Sequence, residues 1–412
     1  MSLSLPGPVP GSQRLDLLDA LRGFALAGVL LANLDAFSLY SFLPREAALA
    51  LPTAPIDRLL DPFYGMFVAG KFITLFSIMF GIGFALQMQR MGEGGRWRYA
   101  RRLGVLWLLG MLHAWLWWGD ILRWYALLGL VLLPLAWLRA RPRTLAILGV
   151  AMVTVPHAPL SLWWPGGWPL ATQDEAFARA LASFSSQDPA TWLRGNGWFA
   201  HWWTQSHWGV GVAIAGRMLI GAAIGYSGVL ADPEAHARFW SRLLLALPAG
   251  LVLVFAIETV DYGWVALPAA WPDGEAGRML LRAASQDAAL LLGLGYAALF
   301  VRLFGHPAWR RWLQPLAPVG RMALSNYLTH TLVGIALFYG VALGIGPRGG
   351  TIAIWLAWLA LFGAQIVASR WWLARYRFGP MEWLWRTLTY GRLQPMRRGD
   401  SADIASTRHA RP

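Results

Sequence analysis

Long apolar runs, separated by short links that carry arginine, make up almost the whole chain. About 20 apolar residues rising 1.5 Å each cover the roughly 30 Å of bilayer hydrocarbon. On that measure about ten runs read as transmembrane helices: 17–40, 63–88, 103–118, 121–138, 144–163, 208–230, 243–267, 284–304, 315–343 and 352–373. Pro156 and Pro159 interrupt the fifth. The ninth is long enough to tilt or to be preceded by a short surface turn. The pattern predicts an all-α, polytopic integral membrane protein, with one transmembrane domain over 15–392 between a short segment 1–14 and a basic, disordered tail 393–412.

Arginine sets the orientation. The link after the second run holds Arg90, Arg96, Arg98, Arg101 and Arg102, and the one after the fourth holds Arg139, Arg141 and Arg143. Odd-numbered links are poorer, because Glu46, Asp57 and Asp61 offset Arg45 and Arg58. Positive charge gathers on the cytoplasmic side, so both termini are expected there. The segment 165–207 then lies outside, with an amphipathic stretch near Asp174–Ser185 and many tryptophans. Met1–Arg14 lacks the basic start of a signal peptide, so the first run is expected to remain as a helix.

Composition narrows the class. The 412 residues are 57% hydrophobic and 14% charged, against about 25% charged in soluble domains. The net charge of +14 sits in the links, which argues for a lipid bilayer rather than nucleic acid as the partner. Cysteine is absent and the eight histidines show no metal-ligand spacing, so neither thiolate chemistry nor a metal is expected.

Polar residues inside the runs are the candidate chemistry. Lys71, the single lysine, His113, Arg217, Glu258 and His330 each sit in an otherwise apolar stretch. A charge there costs at least ~2.5 kcal/mol if it faces lipid. Arg22 and Asn33, eleven residues apart, share one helix face. His113 and Asp120 also share a face, but a straight helix would hold them ~10 Å apart, too far for a direct bond. Asn326 and His330 are four apart on one side of the ninth run. Each has a plain structural alternative in helix–helix hydrogen bonding. Lys71, Arg217 and Glu258 read most simply as a buried charge network, or else as an anion-binding vestibule.

Three segments carry a family resemblance: Leu15-Asp16-Leu17-Leu18-Asp19-Ala20-Leu21-Arg22-Gly23 through Asn33; Lys71 through Gly81-Ile82-Gly83, His113, Gly119-Asp120 and Tyr125; and Gly320-Arg321-Met322 through Asn326-Tyr327, with Gly379-Pro380-Met381-Glu382 after the last run. In these the chain resembles the YeiB-like bacterial membrane proteins, domain of unknown function 418. That family looks related to transmembrane acyltransferases, including the heparan-glucosamine acetyltransferases and the acyltransferase-three enzymes. The resemblance implies acyl transfer from a cytoplasmic acyl-CoA, acetyl-CoA among the candidates, to a sugar, lipid or amine outside. Arg22 and Asn33 match the Arg-x10-Asn spacing of the heparan enzymes. Pro44 stands where those enzymes carry a catalytic histidine.

On this reading His113 is the expected base, with Asp120 to orient it and His330 as the next choice. Asn33 or Lys71 would stabilise the oxyanion. Arg22, Arg101, Arg102 and Arg321 would grip the donor's phosphates. Asn326, Glu258, Arg217 and Tyr125 complete the substrate-facing set. A homodimer is compatible with all of this. The alternatives are a transporter or channel for a small organic anion, built on Lys71 and Arg217, and a non-catalytic partner in envelope assembly.

Overall fold

The computed structural model of the chain describes residues 11–90, 95–155, 171–261, 272 and 274–397. Pro156, Pro159, Trp168 and the tail from Arg398 lie outside the described residues. In chain order the helices are α1 (Gly11–Ser38), α2 (Arg45–Leu49), α3 (Ala54–Phe67), α4 (Lys71–Arg90), α5 (Gly95–Leu116), α6 (Leu122–Leu132) and α7 (Pro142–Thr154). Then come α8 (Gln173–Phe184), α9 (Pro189–Ser206), α10 (Trp208–Ser227), α11 (Ala237–Leu243), α12 (Ala246–Asp261) and α13 (Gly274–Gly305). The last are α14 (Pro307–Leu313), α15 (Leu316–Arg321), α16 (Ala323–Phe338), α17 (Gly350–Arg375) and α18 (Pro380–Tyr390). The described residues form no strand beyond one isolated bridge between Tyr376 and Arg397.

Among the described residues, six stretches are long and apolar enough to cross a membrane: 16–38, 54–90, 208–227, 237–260, 276–305 and 350–375. The chain is a membrane protein. The other expected runs fall on α5, whose first half carries arginines, and on the shorter apolar helices α6, α7 and α16. The second run is broken. α3 stops at Phe67, and α4 restarts at Lys71 after Gly70 turns the chain at φ 76°. The ninth divides into the short α15 and the longer α16.

Helix α1 is the centre, with Leu26, Leu30, Leu34 and Phe37 fully buried against α4, α16 and α17. Small residues let other helices approach closely. A Cβ at Gly81 of α4 would lie 1.9 Å from Met218 O of α10, and one at Gly221 of α10 would lie 2.0 Å from Ile78 O. Such contacts replace the hydrophobic drive that lipid cannot supply.

Residues 171–207, before α10, are built on two packed helices. α8 starts on a capping box of Thr172 and Glu175, which satisfies its first amides. Phe184 of α8 stacks on Tyr339, and Phe199 of α9 packs edge-on against Trp118. At the C-terminus, the amide of Arg377 donates to Met396 O and Trp383 Nε1 to Gln394 O. Residues 393–397, assigned to the tail from sequence, are therefore held against α18.

Candidate functional site

A cavity of about 600 Å³ runs along α1, lined on that helix from Asp19 and Arg22 to Asn33. Fourteen residues of helix put its ends about 21 Å apart. Its middle is apolar, with Leu26 and Val29 facing Phe76 and Phe80 of α4, Leu103 and Leu106 of α5 and Leu324 of α16. Polar groups sit at the two ends.

The arginine-rich end is its mouth, where Arg22, Arg102, Arg321, Arg377 and Arg386 face two carboxylates, Asp19 and Glu382. Arg22 donates to Asp19 at 2.8 Å. The Arg102 guanidinium lies 3.9 Å from the Trp385 ring, and Trp385 Nε1 donates back to Arg102 O at 2.8 Å. Glu382 accepts the amides of Leu324 and Ser325 at 2.7 and 3.1 Å and the Ser325 hydroxyl at 2.6 Å. It thereby pins α18 across the start of α16, and burial pushes its carboxyl above the usual range. At the far end, Asn33 Nδ2 is buried with no hydrogen-bond partner. Tyr125 lines the wall, its hydroxyl tied to Ser77 at 2.7 Å.

Beyond Asn33 the chain reverses. Asn196 of α9 donates from Nδ2 to the carbonyls of Ala114 and Trp115, both at 3.0 Å, and so satisfies the last turn of α5. Gly119 then folds over Trp117, where a Cβ would come within 2.5 Å of the indole. This turn brings Asp120 back to His113, Oδ2 to Nδ1 2.7 Å, and corrects the separation expected for a straight helix. Asp120 also accepts the amides of Leu122 and Arg123 at 3.2 and 3.0 Å, capping α6. With Nδ1–H donated to the carboxylate, Nε2 accepts from Thr331 Oγ1 at 2.7 Å. Both ring nitrogens are engaged. His113 does not line the cavity, whereas Tyr327, its ring 5.2 Å from the imidazole, does.

A second cavity of about 120 Å³ lies across the turn, and Asp120 lines it. Ile73, Gly119 and Ile121 line both cavities. They form a shared wall, held by His113–Asp120 and by the Ile121 amide donating to Tyr327 at 3.3 Å.

Arg22, Asn33, Arg102, Tyr125 and Arg321 thus meet in the first cavity, and Asp120 faces the second. The remaining candidates line neither. The Lys71 ammonium donates to Gly65 O, the carbonyl made available where α3 ends, beside Glu258. Arg217 donates to Gln286 at 2.6 Å rather than joining that pair. The expected three-charge network is therefore divided, with Lys71 beside Glu258 and Arg217 on Gln286. Asn326 donates to Val319 O and Ser369, while His330 bonds Gln365, so both hold α15–α17 together. Arg101 donates to Leu388 O at the end of α18.

Sequence reasoning gave no role to Tyr327, Arg377, Glu382, Trp385 and Arg386. An amphipathic helix directly after the last apolar run was the available signal for a lid over the mouth.

The sequence pattern described as "Protein of unknown function (DUF418)" matches residues 224–392. The chain is 31% identical over 417 residues to "Uncharacterized protein YxaH" of Bacillus subtilis (strain 168), covering 94% of this chain and 97% of the relative. It is 32% identical over 401 residues to "Uncharacterized protein YeiB" of Escherichia coli (strain K12), covering 90% and 95%. No solved structure matches.

Proposed function

The chain belongs to the YeiB-like DUF418 family, and from that premise and its two adjoining cavities we propose a bacterial inner-membrane acyltransferase with ten crossings and both termini cytoplasmic. The carrying observation is a cationic mouth leading through an apolar lane to a shared wall with a second cavity behind it. That shape suits an acyl-CoA entering from the cytoplasm. Its phosphates would meet Arg22, Arg102, Arg321 and Arg386, since guanidinium pairs phosphate oxygens two at a time. The thin arm would follow the lane and present its thioester to Asn33.

The acceptor, a sugar, lipid or amine, would approach from the opposite side and meet the thioester at Gly119–Ile121. Its oxygen or nitrogen bonds to the carbonyl carbon as the carbon–sulfur bond breaks. The sulfur leaves with the electron pair, and the acceptor's proton ends on it. Asn33 Nδ2 supplies a hydrogen bond to the carbonyl oxygen as charge develops there. Asp120 orients the acceptor's hydrogen, and His113 acts through Asp120 as a positioning residue.

The test is turnover of radiolabelled acyl-CoA by the purified full-length protein in nanodiscs, with glycan and lipid acceptors. Asn33→Ala should lower turnover by about 10²-fold with little change in acyl-CoA affinity, and Arg102→Ala should weaken that affinity at least tenfold. Absence of acyl-CoA binding, or full turnover in Asn33→Ala, would sink the reading.

A further inference from the structure

The smaller cavity has a chemistry opposite to that of the larger one. Four indoles, Trp118, Trp124, Trp203 and Trp208, line it. Trp203 stacks on His207 at 3.9 Å and lies 5.2 Å from Trp118. Its charges are one of each sign, Asp120 and Arg123, 4.0 Å apart from carboxylate oxygen to Nε. Burial also lowers the His207 pKa, which favours the neutral ring. The large cavity gathers five arginines against two carboxylates and selects an anion, whereas this one is balanced and selects for neither sign.

One unpaired polar group borders it, because Arg123 Nε is buried without a hydrogen-bond partner. Asp120 is the one carboxylate in the lining, its oxygens already accepting from His113 and from the amides of Leu122 and Arg123. An unpaired donor among four indoles matches a hydroxyl-bearing ring with an apolar C–H face. At about 120 Å³ there is room for one such ring. A phosphate would meet Asp120, an ammonium would meet Arg123, and an acyl chain would leave Arg123 Nε unpaired.

We propose that this cavity is the acceptor subsite and that it binds a single uncharged sugar ring. The word acceptor rests on the acyl-transfer reading; the sugar site stands on the cavity alone. The ring lies against Trp203 and Trp118. One hydroxyl reaches Asp120 and Arg123, and another faces the wall at Gly119.

Gly211 offers a clean test, because it lines this cavity and a Cβ added there meets nothing within 4 Å. Gly211→Leu therefore fills the cavity without a backbone clash. The full-length protein in nanodiscs is probed by saturation-transfer NMR with methyl glucoside and methyl N-acetylglucosaminide, against glycerol and ethanolamine. The glycosides should give signals that fall at least tenfold in Gly211→Leu and persist in Arg102→Ala. Trp203→Ala, checked for folding by its melting curve, should weaken them too.

Silent glycosides on a folded protein that still binds acyl-CoA would overturn the sugar site and leave the transfer reading standing. Glycoside binding without any acyl turnover would support the site and remove its role as acceptor. Equal signals from glycerol or ethanolamine, or an unchanged Gly211→Leu, would overturn the assignment of this cavity to a sugar.

Discussion

Asp120 and His113 form a buried hydrogen-bonded pair, 2.7 Å apart, that closes the turn between α5 and α6. The pair holds the wall shared by the two cavities. Removing the imidazole leaves a buried carboxylate and the Thr331 hydroxyl short of a partner, a change of roughly 1–3 kcal/mol. His113→Ala should lower the melting temperature sharply, whereas Asp120→Asn, which keeps an oxygen for the α6 amides, should lower it less. Acyl-CoA affinity of folded His113→Ala should move less than about threefold. A large loss of affinity at unchanged melting would place the imidazole in the cavity itself.

Helix periodicity alone put Arg22 and Asn33 on one face, and both line the first cavity. Apolar run length likewise located most of the helices, because span length is set by the bilayer. The His113–Asp120 contact was hidden because α5 ends at Leu116, and the arithmetic of a straight helix fails past that point. Lys71 lies beside Glu258, as a buried charge network expects, but its hydrogen bond was hidden for a related reason. The break at Gly70 frees the carbonyl of Gly65, a partner with no side chain to notice in the sequence. The mouth was only half legible, since α18 lies beyond the last apolar run and reaches the cavity through Glu382, Trp385 and Arg386.

Gly83 lines the cavity, and a Cβ there meets nothing within 4 Å. Gly81, two residues earlier on α4, is by contrast pressed against α10. Gly83→Leu should therefore narrow the lane without disturbing helix contacts. Acyl-CoA affinity should fall at least tenfold, and the melting temperature should hold or rise slightly, because leucine is the better helix former by up to ~1 kcal/mol. Isothermal titration beside a thermal melt separates the two effects.

Glu382 gives the docking of α18 a pH dependence. Burial raises its carboxyl above the ordinary 4.5, and the hydrogen bonds from Ser325 and Leu324 only partly oppose this. The folded state thus keeps the proton to higher pH than the unfolded chain does. The stability this contributes is complete below the ordinary value and is lost as pH rises through the raised one. Hydrogen exchange at α18 should quicken beyond the intrinsic rate as pH rises above 4.5. Glu382→Gln should flatten that trend. Glu382→Ala, which strips the cap from α16, should cost about 1 kcal/mol at low pH and less as pH rises.

The mouth depends on how closely α1 and α15 cross. A Cβ at Gly320 would lie 1.8 Å from Asp19 O, and one at Gly23 would lie 2.2 Å from Leu316 O. Both obstacles are backbone, so neither can swing aside. The crossing also sets Asp19 and Arg22 beside Arg321 at the cavity rim. Gly320→Ala must push the helices apart, at about 1–3 kcal/mol for overpacking, and should loosen the rim as it does so. Gly104 of α5 is the control, since a Cβ there meets nothing within 4 Å, and Gly104→Ala should be neutral or stabilising by up to ~1 kcal/mol. Thermal melts of the two variants in one lipid, with acyl-CoA titrations alongside, should show Gly320→Ala losing both stability and affinity while Gly104→Ala loses neither. Equal melts would mean that α1 and α15 can separate freely, and the rim would then owe nothing to their contact.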